Sequence, residues 1–165
     1  MAEEWMVAVD ERDQPLAKLP RREFAFGQQI HRSTFVFVVD NQQRLCVQLR
    51  ASHKGYCPGY RDLAAGGVVA WNESYQHSAQ RELREELGLA TTLTLLGHCF
   101  HQSPGNRSMA RIYGCRHNGP AAPQDGEVVA VEWLPLRLVL NSPGAPFTPD
   151  SLEAFLRVQH RLKYL

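Results

Sequence analysis

The feature that most constrains this chain is a change of apolar period along it. From residue 34 it reads Thr-Phe-Val-Phe-Val-Val, then the polar run Asp40-Asn41-Gln42-Gln43-Arg44, then a second apolar run over 45–49. Both runs are rich in β-branched and aromatic residues, so they predict two strands joined as a hairpin. From residue 75 the period changes. Tyr75, Ala79, Leu83 and Leu87 drift along one stripe of a helix at about 100° per residue. Ser74 stands where a helix takes its N-cap, and Gly88 where it takes its end. Residues 4–9, 91–100, 108–117 and 127–134 read as further strands. Thr148-Pro149-Asp150 supplies a cap, a first-turn proline and a first-turn acid for a last helix over 149–162. Strands flanked by two helices predict a mixed sheet in an α/β layered domain.

Between these elements, residues 10–16 read as a turn and 51–62 as a loop carrying Gly55, Pro58 and Gly59. Leu63–Ala70 reads as a short buried strand pair interrupted by Gly66 and Gly67, and 18–32 has no legible period. No repeat, low-complexity tract or boundary divides the chain. Residues 1–165 are therefore expected to form one domain, with a variable N-terminal segment to about residue 32.

The formal net charge of +1 builds in no general attraction to nucleic acid or membrane. The first residues are acidic and lack the basic-then-apolar order of a secretory signal, and the run at 34–39 is too short to span a bilayer. Cys46, Cys57, Cys99 and Cys115 show no CxxC spacing, which fits free thiols in a reducing cytoplasm.

The helix carries an unusual load of carboxylates. Glu82 and Glu86 lie one turn apart, and Glu85 stands about 60° to the other side of Glu82. All three fall within an arc of roughly 100° beside the apolar stripe, near the packed edge of the helix. Like charges there repel more strongly as water is excluded. Arg81 can relieve Glu85 at i,i+4, which leaves Glu82 and Glu86 without a partner on the helix. A hard divalent cation such as Mg²⁺ would relieve them. Mg²⁺ keeps waters and bridges to substrate phosphates, so the spacing points to a phosphate-bearing ligand.

Residues 81–87 alone would pass as an ordinary solvated helix of good helix formers. The upstream residues decide otherwise. Gly67, Glu73, Arg81, Glu82, Leu83, Glu85, Glu86, Gly88 and Leu89 fill every fixed position of G-x5-E-x7-R-E-U-x-E-E-x-G-U, where U is bulky and apolar. Average residue usage would fill all of them on the order of once in 10⁷ chains.

This stretch resembles the signature box of the Nudix hydrolase family. The resemblance implies an α/β/α sandwich with a loop-helix-loop metal site. It implies hydrolysis of a nucleoside diphosphate linked to another moiety, or of a related diphosphate, with Mg²⁺ or Mn²⁺. It assigns Glu82 and Glu86 as principal metal ligands, and Glu85 as a further ligand or the group orienting the attacking water. Arg81 and Glu73 would pair to hold the loop to the helix, and Gly67 would let the backbone turn closely at the metal. The family often takes one more carboxylate from outside the box. Glu127 is the candidate, with Asp125 and Glu132 competing.

The wider layout from His31 to Val69 is similar to isopentenyl diphosphate isomerases and to YfcD-like bacterial Nudix proteins, and Phe147–Phe155 is similar to the latter. The isomerase reaction wants a cysteine and a nearby histidine on the strand before the box helix. Here that stretch holds Ala64, Ala65 and Gly66; His31 matches a family histidine, while Cys57 lies several residues too early. A sensor that binds nucleotides without catalysis is the third alternative, and such proteins usually carry a broken box. Substrate contacts are expected from Arg50 and Lys54, then Arg107 and Arg111, with Tyr56, Tyr60, Phe100 or Trp133 as stacking surfaces. Ala64-Ala65 replaces the family's more usual Leu-Pro before the glycines. A small-molecule diphosphate is the expected partner, and the resemblance allows a homodimer that no patch specifies.

Overall fold

The computed structural model describes residues 2–165. In chain order the strands are β1 (Trp5–Val9), β2 (Pro15–Pro20), β3 (His31–Val39), β4 (Arg44–Arg50), β5 (Arg61–Asp62), β6 (Ala65–Val68), β7 (Thr94–Ser103), β8 (Asn106–Arg116) and β9 (Val128–Pro135). The two helices are α1 (Tyr75–Leu87) and α2 (Pro149–Leu162).

Strand β3 is the centre, because it is covered on both faces. Phe35, Phe37 and Val39 join Ala154, Phe155, Val158 and Leu162 of α2. Val36 and Val38 turn the other way and meet Ala79, Leu83 and Leu87 of α1. A strand buried on both faces has no polar side, which is why 34–39 reads as an unbroken apolar run. The mixed sheet between two helices is the expected α/β/α arrangement. Its main path runs β5-β4-β3-β8-β7, with β6 beside β3 and β9 beside β4. The β3–β8 pair is parallel.

The expected hairpin of residues 34–49 forms at one register pair only, Val39↔Leu45. Beyond it β3 takes β6 as neighbour, from Ser33↔Val68 to Val36↔Ala65. Strand β4 takes β5 on the edge that faced β3, and β9 on its other edge. The sheet forks there, and the cleft between its branches becomes the site described below.

Two other expectations change. Residues 63–70 hold a single strand, β6, rather than a strand pair. The turn before residue 16 shrinks to residues 11–13, because the Asp10 carboxylate accepts the N–H groups of Arg12 and Gln14 at 2.8 and 2.9 Å; Pro15 already opens β2. The β1–β2 hairpin is tied to the main sheet by Val9 N–H to Ile30 O and Trp71 N–H to Trp5 O, at 2.9 and 2.8 Å.

The helix ends follow the sequence in part. Ser74 Oγ accepts His77 N–H at 3.1 Å, and Gly88 closes α1 at φ +68°. The Thr148 hydroxyl does not cap α2; it donates to Asp62 Oδ1 at 2.6 Å. Among the described residues no helix is long and apolar enough to cross a membrane, and all four cysteines are free thiols.

Gly66 is the position where the sheet tolerates no side chain. A Cβ there would lie 1.8 Å from the backbone oxygen of Thr34. We expect Gly66→Ala to destabilise the fold by about 3 kcal/mol or more, at or beyond the top of the overpacking range. Chemical denaturation measures this, and a variant within about 0.5 kcal/mol of wild type would show that β6 can move away from β3.

Candidate functional site

The site is built where α1 crosses β6, a strand whose Gly67 presents no side chain to the helix. Gly66 N–H donates to Glu86 Oε1 at 2.6 Å. A Cβ on Gly67 would come 2.5 Å from Glu82 Oε1. Both carboxylates therefore rest directly on strand backbone, with Glu86 only 5% and Glu82 9% exposed. Burial raises both pKa values. Glu82 is pushed up to about 7, with Arg81 pulling it down and Glu85 adding to the rise. Glu86 is raised well above the usual carboxylate range by burial and then by Glu82 beside it.

Arg81 organises the exposed side of this cluster. Its Nε and NH2 donate to Glu73 at 2.7 and 3.0 Å, while NH1 reaches Glu82 at 2.9 Å and Glu85 at 3.2 Å. Glu73 is pulled upward by burial, but Arg81 and the Ala70 N–H outweigh that and hold it below its ordinary value. The Arg81–Glu73 pair implied by the family resemblance is thus in place. The reading that Glu82 lacks a partner on the helix is corrected, since its neighbour Arg81 bends back to it. Glu86 alone of the three has no arginine or lysine hydrogen-bonded to it among the described residues.

The cleft opens into a cavity of about 1080 Å³, reached by Glu82, Glu85 and Glu86 from one side and Lys54, Asp125 and Glu127 from another. Lys54 Nζ donates to Glu127 Oε2 at 2.7 Å, so two residues singled out separately in the sequence form one ion pair. Asp125 accepts the Glu127 N–H at 3.0 Å. Glu132 lies outside the lining and pairs with Arg61 at 3.3 Å. Arg50 borders the cavity but is engaged by its own wall: NH1 meets Asp62 at 2.6 Å and NH2 the carbonyl of Tyr56 at 2.8 Å. Arg107 is held by the Gln28 carbonyl at 2.7 Å, and Arg111 stands 3.8 Å from Asp13 over the Tyr75 ring. Of the four aromatic candidates only Tyr56 lines the cavity. Phe100 packs near Met109, and Trp133 packs on the α1 side of the sheet.

Asp62, Asp150 and Asn106, which no local pattern marks as site residues, also line this cavity. Asp62 is buried against Arg50 and the Thr148 hydroxyl. Burial raises its pKa while Arg50 opposes the rise. Asp150 accepts from Asn106 Nδ2 at 3.2 Å and from the Tyr56 hydroxyl at 3.4 Å. All three owe their place to contacts distant in sequence; only the Thr148-Pro149-Asp150 helix start was a local signal.

The residues fit a divalent cation on physical grounds. Two buried carboxylates one helical turn apart, one of them without a cationic partner, ionise at a cost that a bound cation would offset. Their oxygens are engaged by Arg81 and the Gly66 N–H, and among the described residues no three His, Cys, Asp or Glu side chains converge on a common point.

Comparison with known proteins places this geometry in a family. The NUDIX domain model matches residues 29–155. The uncharacterized Nudix hydrolase PA4841 of Pseudomonas aeruginosa is 40% identical over 148 residues, covering 88% of each chain. YfcD of Escherichia coli, also an uncharacterized Nudix hydrolase, is 35% identical over 153 residues, covering 92% of this chain and 84% of that one. The crystal structure of DR0079 from Deinococcus radiodurans shares the fold with a TM-score of 0.79 at 22% identity, covering 94% of this chain and 99% of that chain. The NUDIX domain of Shewanella oneidensis NrtR, solved with ADP ribose, has a TM-score of 0.66 at 19% identity, covering 86% and 92%.

Burial of Glu82 gives the protein a pH signature when divalent cations are removed. Its folded-state pKa near 7 lies above the ordinary 4.5, so folding favours the protonated form. That stabilisation is complete below the ordinary value and is lost as pH rises through about 7. His31 works in the opposite direction: burial and then Arg21 hold it down at about 4, so its contribution is present above 6.5 and lost as pH falls. Glu82→Gln separates the two. As pH falls from about 8 to about 5.5 in chelator, the wild type should gain thermal stability relative to the variant. Parallel curves for the two proteins would contradict the burial of a titrating Glu82.

Proposed function

The chain belongs to the Nudix hydrolase family, and from that premise we propose that it hydrolyses a diphosphate linkage with Mg²⁺ or Mn²⁺ held at Glu82 and Glu86. The substrate is a nucleoside diphosphate joined to another moiety, or a related organic diphosphate. The observation that carries this reading is the buried Glu82–Glu86 pair seated on the glycines of β6.

A divalent ion bound there supplies charge neutralisation of the diphosphate and a more acidic water. The chain's own residues do the rest. Glu85 is nearly half exposed and opens into the cavity, with Arg81 on its Oε2. It is the carboxylate placed to take the water's proton. Glu127, across the cavity and held by Lys54, is the second group of that kind. Arg81 fixes Glu82 and Glu85 relative to the loop through Glu73, which keeps the carboxylates oriented between turnovers. Lys54, which lines the cavity in its pair with Glu127, is assigned to the phosphates. Arg50 supports the loop at Tyr56 and Cys57, so its proposed effect on substrate passes through that loop. The four free thiols support a reducing, cytoplasmic setting.

Isomerase chemistry finds no support in the site. Cys57 lines the cavity, but burial holds its thiol above its ordinary value, and no cysteine or histidine lies on β6. A non-catalytic sensor would bind a nucleotide and release no product, and the same assay decides it.

Glu86→Gln should lower metal-dependent turnover by at least about 10²-fold, the low end for losing a group that stabilises transition-state charge. Phosphate and nucleotide release is read across dinucleotides, nucleoside triphosphates, nucleotide sugars, coenzyme A and prenyl diphosphates; near wild-type turnover by the variant would sink the metal assignment. Gly67→Ala should act differently from Gly66→Ala. Its methyl meets the far end of a side chain rather than backbone, so the fold should survive while turnover falls about 10²-fold through displacement of Glu82. Circular dichroism and the same assay check both halves.

A further inference from the structure

Exposed apolar side chains scattered singly over a surface are ordinary, whereas exposed aromatic rings on the wall of one cavity mark a place for a ligand. Two large apolar residues are both exposed and in the wall of the cavity: Trp5, 39% exposed, and Phe26, 38% exposed. Both are aromatic. Both also belong to the N-terminal segment, ahead of the residues 29–155 that match the Nudix domain.

Hydrogen bonds fix where this wall stands. Arg21 N–H donates to the Glu4 carbonyl at 2.8 Å, and Arg21 NH1 to the Glu4 carboxylate at 3.2 Å. The Arg21 guanidinium also lies over the Phe26 ring, 5.8 Å from its centroid. The Glu4–Arg21 pair thereby joins the strand that carries Trp5 to the turn that carries Phe26. Trp5 in turn adjoins the loop of the carboxylate site. Its carbonyl accepts Trp71 N–H at 2.8 Å, and the two indole rings share the Lys18 ammonium, 4.5 and 5.5 Å from their centroids. Ala70 N–H donates to Glu73 at 3.1 Å, and Glu73 holds Arg81. An unbroken run of contacts leads from the Phe26 ring to the helix that carries Glu82 and Glu86.

Volume and chemistry select the occupant. A cavity of about 1080 Å³ is of the size that takes a whole substrate rather than a diphosphate alone. The rings offer flat apolar surface, on which another planar ring gains most. Glu4 and Arg21 line the same wall, are both exposed, and use one side-chain hydrogen bond between them. Their remaining N–H groups and lone pairs suit the edge of a heterocycle that bears donors and acceptors, and offer nothing to a prenyl chain.

We propose that Trp5 and Phe26, with the Glu4–Arg21 pair, form a specificity wall for an aromatic heterocycle, the base of a nucleoside diphosphate. The N-terminal segment, outside the matched domain, then chooses the substrate. That the base belongs to a diphosphate rests on the reading of Glu82 and Glu86 as the hydrolytic site.

The test uses the full chain labelled with fluorotryptophan, in chelator and without any phosphate. Three tryptophans give three fluorine signals. Trp5→Leu identifies the Trp5 signal by its loss, and Trp133→Phe identifies Trp133, which lies outside the cavity wall. Adenosine, guanosine, cytidine and uridine are titrated in turn. At least one should shift the Trp5 signal saturably while the Trp133 signal stays in place. Ribose and prenyl alcohol should bind at least about tenfold more weakly, since neither has a ring to stack. Phe26→Leu keeps the Trp5 reporter and should weaken nucleoside binding by at least about fivefold, with the Trp133 signal unmoved as the check on folding. No saturable shift from any nucleoside, an equal response to ribose or prenyl alcohol, or unchanged affinity in Phe26→Leu would each overturn the proposal. Metal and turnover play no part in this measurement. Nucleoside binding without hydrolysis would leave the wall standing and sink the hydrolase reading, and hydrolysis without nucleoside binding would do the reverse.

Discussion

The close approach of α1 to β6 is the contact on which the rest of the site depends. Gly67 removes the side chain that would hold the helix at ordinary distance from the strand, and Glu82 fills the space. Gly66 does two things at once: its missing Cβ lets β6 lie against the Thr34 backbone, and its N–H fixes Glu86 at 2.6 Å. The helix then has no freedom to turn its carboxylates toward water. Its apolar stripe, Ala79, Leu83 and Leu87, is locked against Val36 and Val38. Hydrophobic burial on one side of α1 thereby forces like charges into a half-dry seam on the other. Arg81 balances the outer part of that charge and leaves Glu86 uncompensated.

The forked sheet explains why this seam opens to a ligand. Had β3 and β4 stayed paired along their length, the space beside Gly66 and Gly67 would have been closed by another strand. Instead they part after Val39↔Leu45, and β5 and β6 line the two branches. The cations that line the resulting cavity are all engaged: Arg21 with Glu4, Arg50 with Asp62, Lys54 with Glu127, Arg81 with Glu73. A diphosphate entering this cavity finds no free arginine to take its charge. A divalent cation held by Glu82 and Glu86 would supply the counter-charge that both the buried carboxylates and a diphosphate lack.

The parts of this arrangement that were legible in the sequence are those set by local spacing. The helix at 75–87, its Ser74 and Gly88 ends and the one-sided carboxylates follow from period and offset, while the Arg81–Glu73 pair was implied by the family resemblance. The start of the last helix follows from a proline at its first position, and its extent to 162 from the apolar spacing of Leu152, Phe155, Leu156 and Leu162. What the sequence hid was register. Nothing local to residues 34–49 says that a hairpin will split after one pair, because both arms are apolar enough to accept several neighbours. For the same reason nothing marked Asp62 and Asp150 as site residues: each is an ordinary acid until Arg50, Thr148, Asn106 and Tyr56 are brought to it from distant elements. The pairing of Lys54 with Glu127 was divided in the same way, with each residue visible and the partnership not. The N-terminal segment resisted reading because β2 is exposed along most of its length and has no buried face to impose a period.

The most direct measurement of the central claim, that close packing on the β6 glycines creates a site requiring a cation, is calorimetric titration of Mn²⁺ into wild type and Gly67→Ala at neutral pH, repeated in buffers of different ionisation enthalpy. The account predicts that Mn²⁺ binds the wild type with release of protons, because carboxylates whose pKa values burial has raised must give them up, and that Gly67→Ala binds at least about tenfold more weakly. Binding without proton release, or equal affinity in the two proteins, would contradict it.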